Sequence, residues 1–393
     1  MDWLNWVLAI CMAIGAADRI FGGKLGLGKE FENGLMLLGV MMLSMVGMIV
    51  IAPVIAWLLE PLFSKMNFGI DPSIIPGILF ANDMGGAPLA VEVALNEKIG
   101  LFNALVVAAT MGATISFTVP FALGIIPKEK QRELLVGLLC GIVAIPVGCF
   151  VAGFVAGVPF VDLLLDLLPL ILVAAVVAFG LLKFPNACVK IFSWLGVGIK
   201  ILITFGLAVG IFEALTGVKL VPHTASISEG MTVIGNAAYA LAGSFVLISI
   251  VSRLLKKPLV KLGKKVGLNE HSMLGFVATL ATSTPVFGFM DKMDRRGMVL
   301  NCAFATTSAW VIGGHLAFTM AMDSSFVPAM IVAKLVGGVG AVLVAALLYK
   351  RIFKDDEKLL GEATLTDLQV GGEEAGNSAG NSVENLPKLE ENL

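Results

Sequence analysis

Two short stretches hold the residue types that could bind something inside this chain. The first is 80–89, FANDMGGAPL, where Asn82 and Asp83 stand side by side in an apolar run and Gly85, Gly86 and Pro88 follow at once. The second is Thr282-Ser283-Thr284-Pro285, midway along another apolar run. A carboxylate surrounded by amides and hydroxyls suits a small cation that also bears a hydrogen-bonding group. Glycine and proline next to these groups interrupt the backbone bonding of a helix. A plainer role for Asp83 is to cap the helix that resumes after it.

Other polar residues lie at comparable positions in neighbouring apolar runs. The candidate binding set is Asp83, Asn82, Asn103, Thr110, Thr282, Ser283, Thr284, Asn301, Trp310 and His315, with Thr306, Thr307 and Ser308 beside it. Trp310 offers a cation–π face, and His315 could bind or relay a proton. Taken singly, each Ser, Thr and Asn also suits a bond between membrane helices. Nothing here resembles a nucleotide loop, a zinc-protease motif or a serine-hydrolase elbow, so binding and transport are expected rather than catalysis. The five cysteines lie in or beside apolar segments without metal-ligand spacing. No metal, cofactor or nucleic-acid partner is expected.

The elements that must position these groups are membrane helices. The chain is 58% hydrophobic and 14% charged over 393 residues, with a mean hydropathy of +0.93. Apolar runs at 35–59, 101–126, 134–158, 163–182, 233–251, 299–320 and 327–349 each approach the ~20 residues that cross a bilayer as a helix. Segments 3–17 and 191–212 complete the set. The first lacks a basic leader and reads as a retained span rather than a signal peptide. Residues 354–393 hold ten of the 29 acids and three of the 27 bases, which leaves the body with 24 bases against 19 acids. That acidic Gly/Asn/Ser-rich tail is expected to be disordered and cytoplasmic.

Basic loops mark the cytoplasmic face. The strongest is 253–265, with six bases and no acid; others lie near 19–29, 128–132, 183–190, 292–296 and 350–354. All become cytoplasmic together if 71–94 and 271–291 enter and leave on the same face. The expectation is an all-α polytopic membrane protein of nine transmembrane helices plus two re-entrant broken-helix loops. Its N-terminus would lie outside and its C-terminus in the cytoplasm. Ten or eleven spans are the alternative.

A constant offset suggests internal duplication. FENGLMLLG at 31–39 pairs with ISEGMTVIG at 227–235, and the same shift of 196 sets Gly47 opposite Gly243. A shift of 198 sets Gly77 opposite Gly275 and Asn103 opposite Asn301, while 15–22 aligns with 210–217. The expected organisation is a first repeat at 1–158, a linking helix at 159–188, and a second repeat at 189–353. An odd number of crossings separates equivalent elements, so the second repeat is inverted. Inverted repeats with broken helices are typical of secondary transporters that bind substrate where the repeats meet.

Together, FENGLMLLGVMMLSMVGM at 31–48, ANDMGGAPLA at 81–90, MGATISFTVPFALGII at 111–126, KPLVKLGKKVGLN at 257–269, PVFGFMDKMDRRGMVLNCAFA at 285–305 and GGHLAF at 313–318 resemble the EutH family, the ethanolamine transport proteins of bacterial ethanolamine-utilisation operons. The resemblance covers essentially all of 1–353, in order. The family's second tip is amide-rich, whereas this chain carries Thr282-Ser283-Thr284. The resemblance implies uptake of ethanolamine, a protonated amino alcohol, across the bacterial cytoplasmic membrane. Importers of another small amine or amino acid, coupled to Na⁺ or H⁺, form the alternative. A homo-oligomer remains open.

Overall fold

The computed structural model describes residues 2–63 and 69–353, and the acidic tail lies outside the described residues. Every regular element among them is helical. Contacts divide the chain into a unit of residues 1–345 and a C-terminal unit, 346–393, of which 346–353 are described. Among the described residues, eight helical stretches are long and apolar enough to cross a bilayer: Trp3–Ile20, Leu27–Pro61, Glu97–Ile125, Lys128–Val155, Phe160–Lys183, Pro185–Thr216, Ile227–Val266 and Gly314–Ile352. The chain is a polytopic helical membrane protein. Large apolar side chains such as Leu172, Val176 and Phe179 are exposed, as expected where lipid is the solvent.

The chain begins with α1 (Asp2–Ile20), α2 (Leu27–Met41) and α3 (Gly47–Phe63), the last two joined through a π-helical turn at Met42–Val46. Asp18 ends α1 by accepting the backbone N–H groups of Leu25, Leu27 and Gly28. Glu32 pairs with Arg19. Helices α4 (Ile74–Leu79) and α5 (Gly86–Val93) follow, about 9 and 12 Å long at 1.5 Å per residue. Between them Phe80 and Ala81 are extended, Asn82–Met84 makes one 3₁₀ turn, and Gly85 turns left-handed at φ 99°. Met48 occupies the place where a Cβ of Gly85 would stand, so both backbone angle and space require glycine there.

From α6 (Glu97–Phe102) the chain runs through π-helical stretches at Asn103–Gly112 and Thr114–Thr118 into α7 (Val119–Ile125). The long helices α8 (Gln131–Val155), α9 (Phe160–Lys183), α10 (Pro185–Thr216) and α11 (Ile227–Val266) come next. A second broken segment is α12 (Glu270–Ala281) and α13 (Thr284–Gly288), parted by extended Thr282 and by Ser283, with Pro285 opening α13. Then come α14 (Arg295–Ser308), α15 (Gly314–Asp323) and α16 (Val327–Ile352).

One element differs from its sequence-based expectation. The apolar run 299–320 reads as a continuous span, but it is broken between α14 and α15. Trp310 there adopts φ 61°, a left-handed angle that costs a bulky residue roughly 1–3 kcal/mol. The opened backbone finds partners on α12: Trp310 N–H donates to Thr279 O at 3.2 Å and Ile312 N–H to Leu280 O at 2.9 Å. The tip of the second broken segment and this break are therefore fastened together.

Carboxylates also tie the feet of both broken segments. Asp71 accepts from the N–H groups of Ser73, Leu95 and Asn96 at 2.9–3.0 Å. Asp294 accepts from Asn269 N–H at 2.9 Å, Ser272 Oγ at 2.6 Å and Gly297 N–H at 2.8 Å.

Glycines set the close helix approaches, and they do so in matched pairs. Gly34 of α2 packs on the backbone of Leu241 and Ala242 in α11, and Gly230 of α11 packs on Val46. Gly47 meets Ile203 of α10 where Gly243 meets Leu8 of α1. Gly15 lies against Val246 and Phe31, and Gly210 against Val50 and Ile227. Gly77 packs on Asn103, and Gly275 on Asn301.

A cavity between two broken segments

The two interruptions face a common cavity of about 500 Å³. Ala81, Asp83 and Met84 enter it from the first, and Ala281, Thr282, Thr284 and Pro285 from the second. Trp310, Gly314 and His315 come from the α14–α15 break. Side chains of α2, its π-turn, the π-helical return helix and α11 supply the remaining, mostly apolar wall, with Ser44 and Phe117 among them.

Asp83 is the anionic group in this lining. Its side chain is 27% exposed, and its Oδ1 stands 3.7 Å from His315 Nε2, beyond hydrogen-bonding distance. Among the described residues no side chain donates a hydrogen bond to this carboxylate; the turn instead bonds through Asp83 N–H to Asn82 Oδ1 at 2.9 Å. Asp83 Oδ2 lies against Gly314, the first residue of α15, where the partial positive charge of a helix N-terminus favours an anion.

The other end of the break carries the opposite charge. Lys334 of α16, 1% exposed, donates to Ala109 O at 2.6 Å, Ala309 O at 2.8 Å and Thr307 O at 3.3 Å. Three carbonyls for three N–H donors are the match an ammonium group requires. Two of them lie at the C-terminal end of α14, where helix carbonyls lack partners and a cation is favoured. Lys334 makes no ion pair with Asp83 among the described residues; its protons are spent on backbone.

Aromatic rings stand beside the carboxylate. The Trp310 ring centroid lies 5.1 Å from that of His315 and 5.2 Å from that of Phe117, the latter edge-on. His315 is buried, and its Nδ1 has no partner among the described residues.

Of the ten residues singled out from sequence, Asp83, Thr282, Thr284, Trp310 and His315 line the cavity. The other five lie outside its lining. Asn82 supports the turn and Ser283 is fully buried; neither Asn82 Nδ2 nor the Ser283 hydroxyl has a partner among the described residues. Thr110 bonds to the carbonyls of Val106 and Val107 and touches Cys149 Sγ. Asn103 donates to Ser73 and Asp166, and Asn301 to the carbonyls of Ser272 and Gly297. Phe117, Ser44 and Gly314 were missed; the Gly313-Gly314 pair in an apolar run was the available signal for the last.

Comparison with known proteins agrees with this architecture. The family model described as "Ethanolamine utilisation protein, EutH" matches residues 2–348. The chain is 43% identical over 354 residues to the "Probable ethanolamine permease EutH" of Listeria monocytogenes, covering 90% of this chain and 95% of that protein. It is 37% identical over 393 residues to the Salmonella typhimurium protein of the same description, covering 90% and 96%. It is also 37% identical over 347 residues to the Bacillus subtilis "Uncharacterized protein YxeR", covering 88% and 94%. No solved structure matches the chain significantly. With the family model and these relatives spanning nearly all of its membrane-embedded length, the chain belongs to the EutH family.

Proposed function

We propose that this protein is a secondary transporter or facilitator that brings ethanolamine across the bacterial cytoplasmic membrane, with Asp83 anchoring the ammonium group. The observation that carries this reading is a carboxylate in the lining of a cavity shared by two broken segments, with no side-chain donor bonded to it among the described residues. The names of the Listeria and Salmonella relatives supply the cargo. Ethanolamine's amine is protonated at neutral pH, like that of lysine. In this reading the ammonium sits on Asp83 under the face of Trp310, and its hydroxyl reaches His315, Thr282 or Thr284.

The membrane arrangement belongs to the same proposal. In this reading α14 and α15 form one broken crossing, extended Asp323 parts α15 from α16 within the Gly314–Ile352 stretch, and the spans number nine. The segments 71–94 and 271–291 are re-entrant, with the N-terminus outside and the C-terminus inside. The halves 1–158 and 189–353 are inverted repeats linked by 159–188. The glycine contacts support this duplication strongly. Gly34 meets residue 242 where Gly230 meets 46, and both pairs are related by the shift of 196. Gly47–Ile203 and Gly243–Leu8 repeat the exchange, with the glycines 196 apart and Leu8 and Ile203 at the shift of 195 that aligns 15–22 with 210–217.

One observation favours a broader second reading. At roughly 30 Å³ per water in the liquid, the cavity holds far more than one ethanolamine. A larger amine, or ethanolamine with its waters, would fill it. Counterflow of labelled ethanolamine in proteoliposomes, with and without competing amines, tests both readings. Uptake that saturates and is lost in Asp83→Asn supports the first; indifference to ethanolamine with transport of another amine replaces it with the second.

A further inference from the structure

Away from the cavity, the foot of the first broken segment holds another buried polar cluster. Asp166 of α9 is 1% exposed, and Asn103 and Ser73 are fully buried. Asp166 Oδ1 accepts from Asn103 Nδ2 at 3.1 Å, and the same Nδ2 donates to Ser73 Oγ at 2.9 Å. Two oxygens have no hydrogen-bond partner among the described residues: Asp166 Oδ2 and Asn103 Oδ1. Both are acceptors, and leaving a buried carboxylate oxygen bare is costly. The titratable groups within electrostatic reach are Asp71, ahead of α4, and the Cys149 thiol of α8. No cationic side chain pairs with Asp166 among the described residues.

A single proton answers both needs. An un-ionised carboxyl donates through one oxygen and accepts through the other, and a carboxamide does the same through nitrogen and oxygen. With Asn103 Nδ2 already on Asp166 Oδ1, a proton on Oδ2 can donate to Asn103 Oδ1 and close an acid–amide pair. We propose that Asp166 and Asn103 form a proton-binding site whose protonation clamps the first broken segment to α9. The clamp follows from what Asn103 holds: Ser73, which precedes α4, is bonded to its side chain, and Gly77 of α4 packs on its backbone. Loss of the proton leaves a buried, charged Asp166 Oδ2 with no donor among the described residues, which favours release of the contact. A metal ion fits less well, because a hard cation takes several oxygens at once and the amide here already turns its nitrogen to the carboxylate. In the second half, Asn301 spends its Nδ2 on two backbone carbonyls rather than on a carboxylate.

The test uses the full chain in lipid and reads the proton directly. Infrared difference spectra are recorded from about pH 5 to about pH 8, a range in which ethanolamine stays protonated. A carbonyl stretch of un-ionised carboxyl is expected at low pH. It should shift down in deuterium oxide, disappear in Asp166→Asn and persist in Asp83→Asn. Asn103→Ala should move the band to higher frequency by removing its partner. Superimposable wild-type and Asp166→Asn spectra, or a band abolished by Na⁺ rather than by raising pH, would overturn the proton site. Counterflow of ethanolamine reads the clamp and rests on the transport proposal. Wild-type uptake should fall as pH rises, while Asp166→Asn, an isostere of the neutral acid, should hold the low-pH level throughout. An unchanged pH profile in Asp166→Asn refutes the clamp. If the wild type moves no ethanolamine, the spectra still decide the site, so the two readings fail separately.

Discussion

Replacing Asp83 by Asn isolates the carboxylate charge in the cavity lining. The substitution keeps side-chain volume and one acceptor oxygen, so Gly85, Asn82 and the 3₁₀ turn keep their places. At a separation of about 4 Å and an effective dielectric of about 20, an ammonium and a carboxylate attract by about 4 kcal/mol. Stripping water from the ammonium takes back part of that, and net values for hydrogen bonds to charged groups run about 1.5–3 kcal/mol. The carboxylate is partly open to the cavity, with 27% of its side chain exposed, which places the expected loss near 2 kcal/mol, or about 30-fold in Kd. Calorimetric titration of ethanolamine into wild type and variant measures this loss. Thermal melts run in parallel should show an intact fold. Affinity within about threefold of wild type, in a variant that melts normally, would refute the anchor.

Trp310→Leu removes the ring face beside the carboxylate, and a lost cation–π contact of about 1–2 kcal/mol should raise the KM for uptake roughly five- to thirtyfold, measured in proteoliposomes. Lys334→Met keeps the stem and removes the ammonium from three carbonyls; leaving buried acceptors without that donor should cost about 1–3 kcal/mol, read as a lowered Tm. Gly34→Ala and Gly230→Ala each drive a methyl into the opposing helix and should destabilise by about 1–3 kcal/mol. By contrast, Gly39→Ala and Gly235→Ala, with nothing within 4 Å of the added methyl, should be neutral or stabilising by up to about 1 kcal/mol. Denaturation curves of the four variants check the contrast, and destabilisation by Gly39→Ala or Gly235→Ala as large as that by Gly34→Ala would refute the packing argument.

The two broken segments were legible because their interruption is chemical: Gly85, Gly86, Pro88 and Pro285 cannot continue a helix without loss. The break at 309–313 was not, since Ala309, Trp310, Val311 and Ile312 are all compatible with a span. What opens it is tertiary: Thr279 and Leu280 offer carbonyls from α12, and Lys334 caps the end of α14. Asn103 and Asn301 illustrate a different limit. Their polarity marked them as candidates for binding, but composition does not reveal the direction of an amide, and both turn to the feet of the broken segments. The matched spacing of glycines was visible in sequence; that each rests on the counterpart of its partner's neighbour required coordinates.

The exchanged glycine seats constrain how the protein comes into being. Gly34 and Gly47 rest on α11 and α10, which the ribosome has not yet made when α1 to α3 enter the bilayer. The early helices must therefore wait, unclasped, among lipids or beside an insertase until the later ones arrive. Either portion synthesised on its own would lack the surface that completes it, and only co-production of the two could restore a finished molecule.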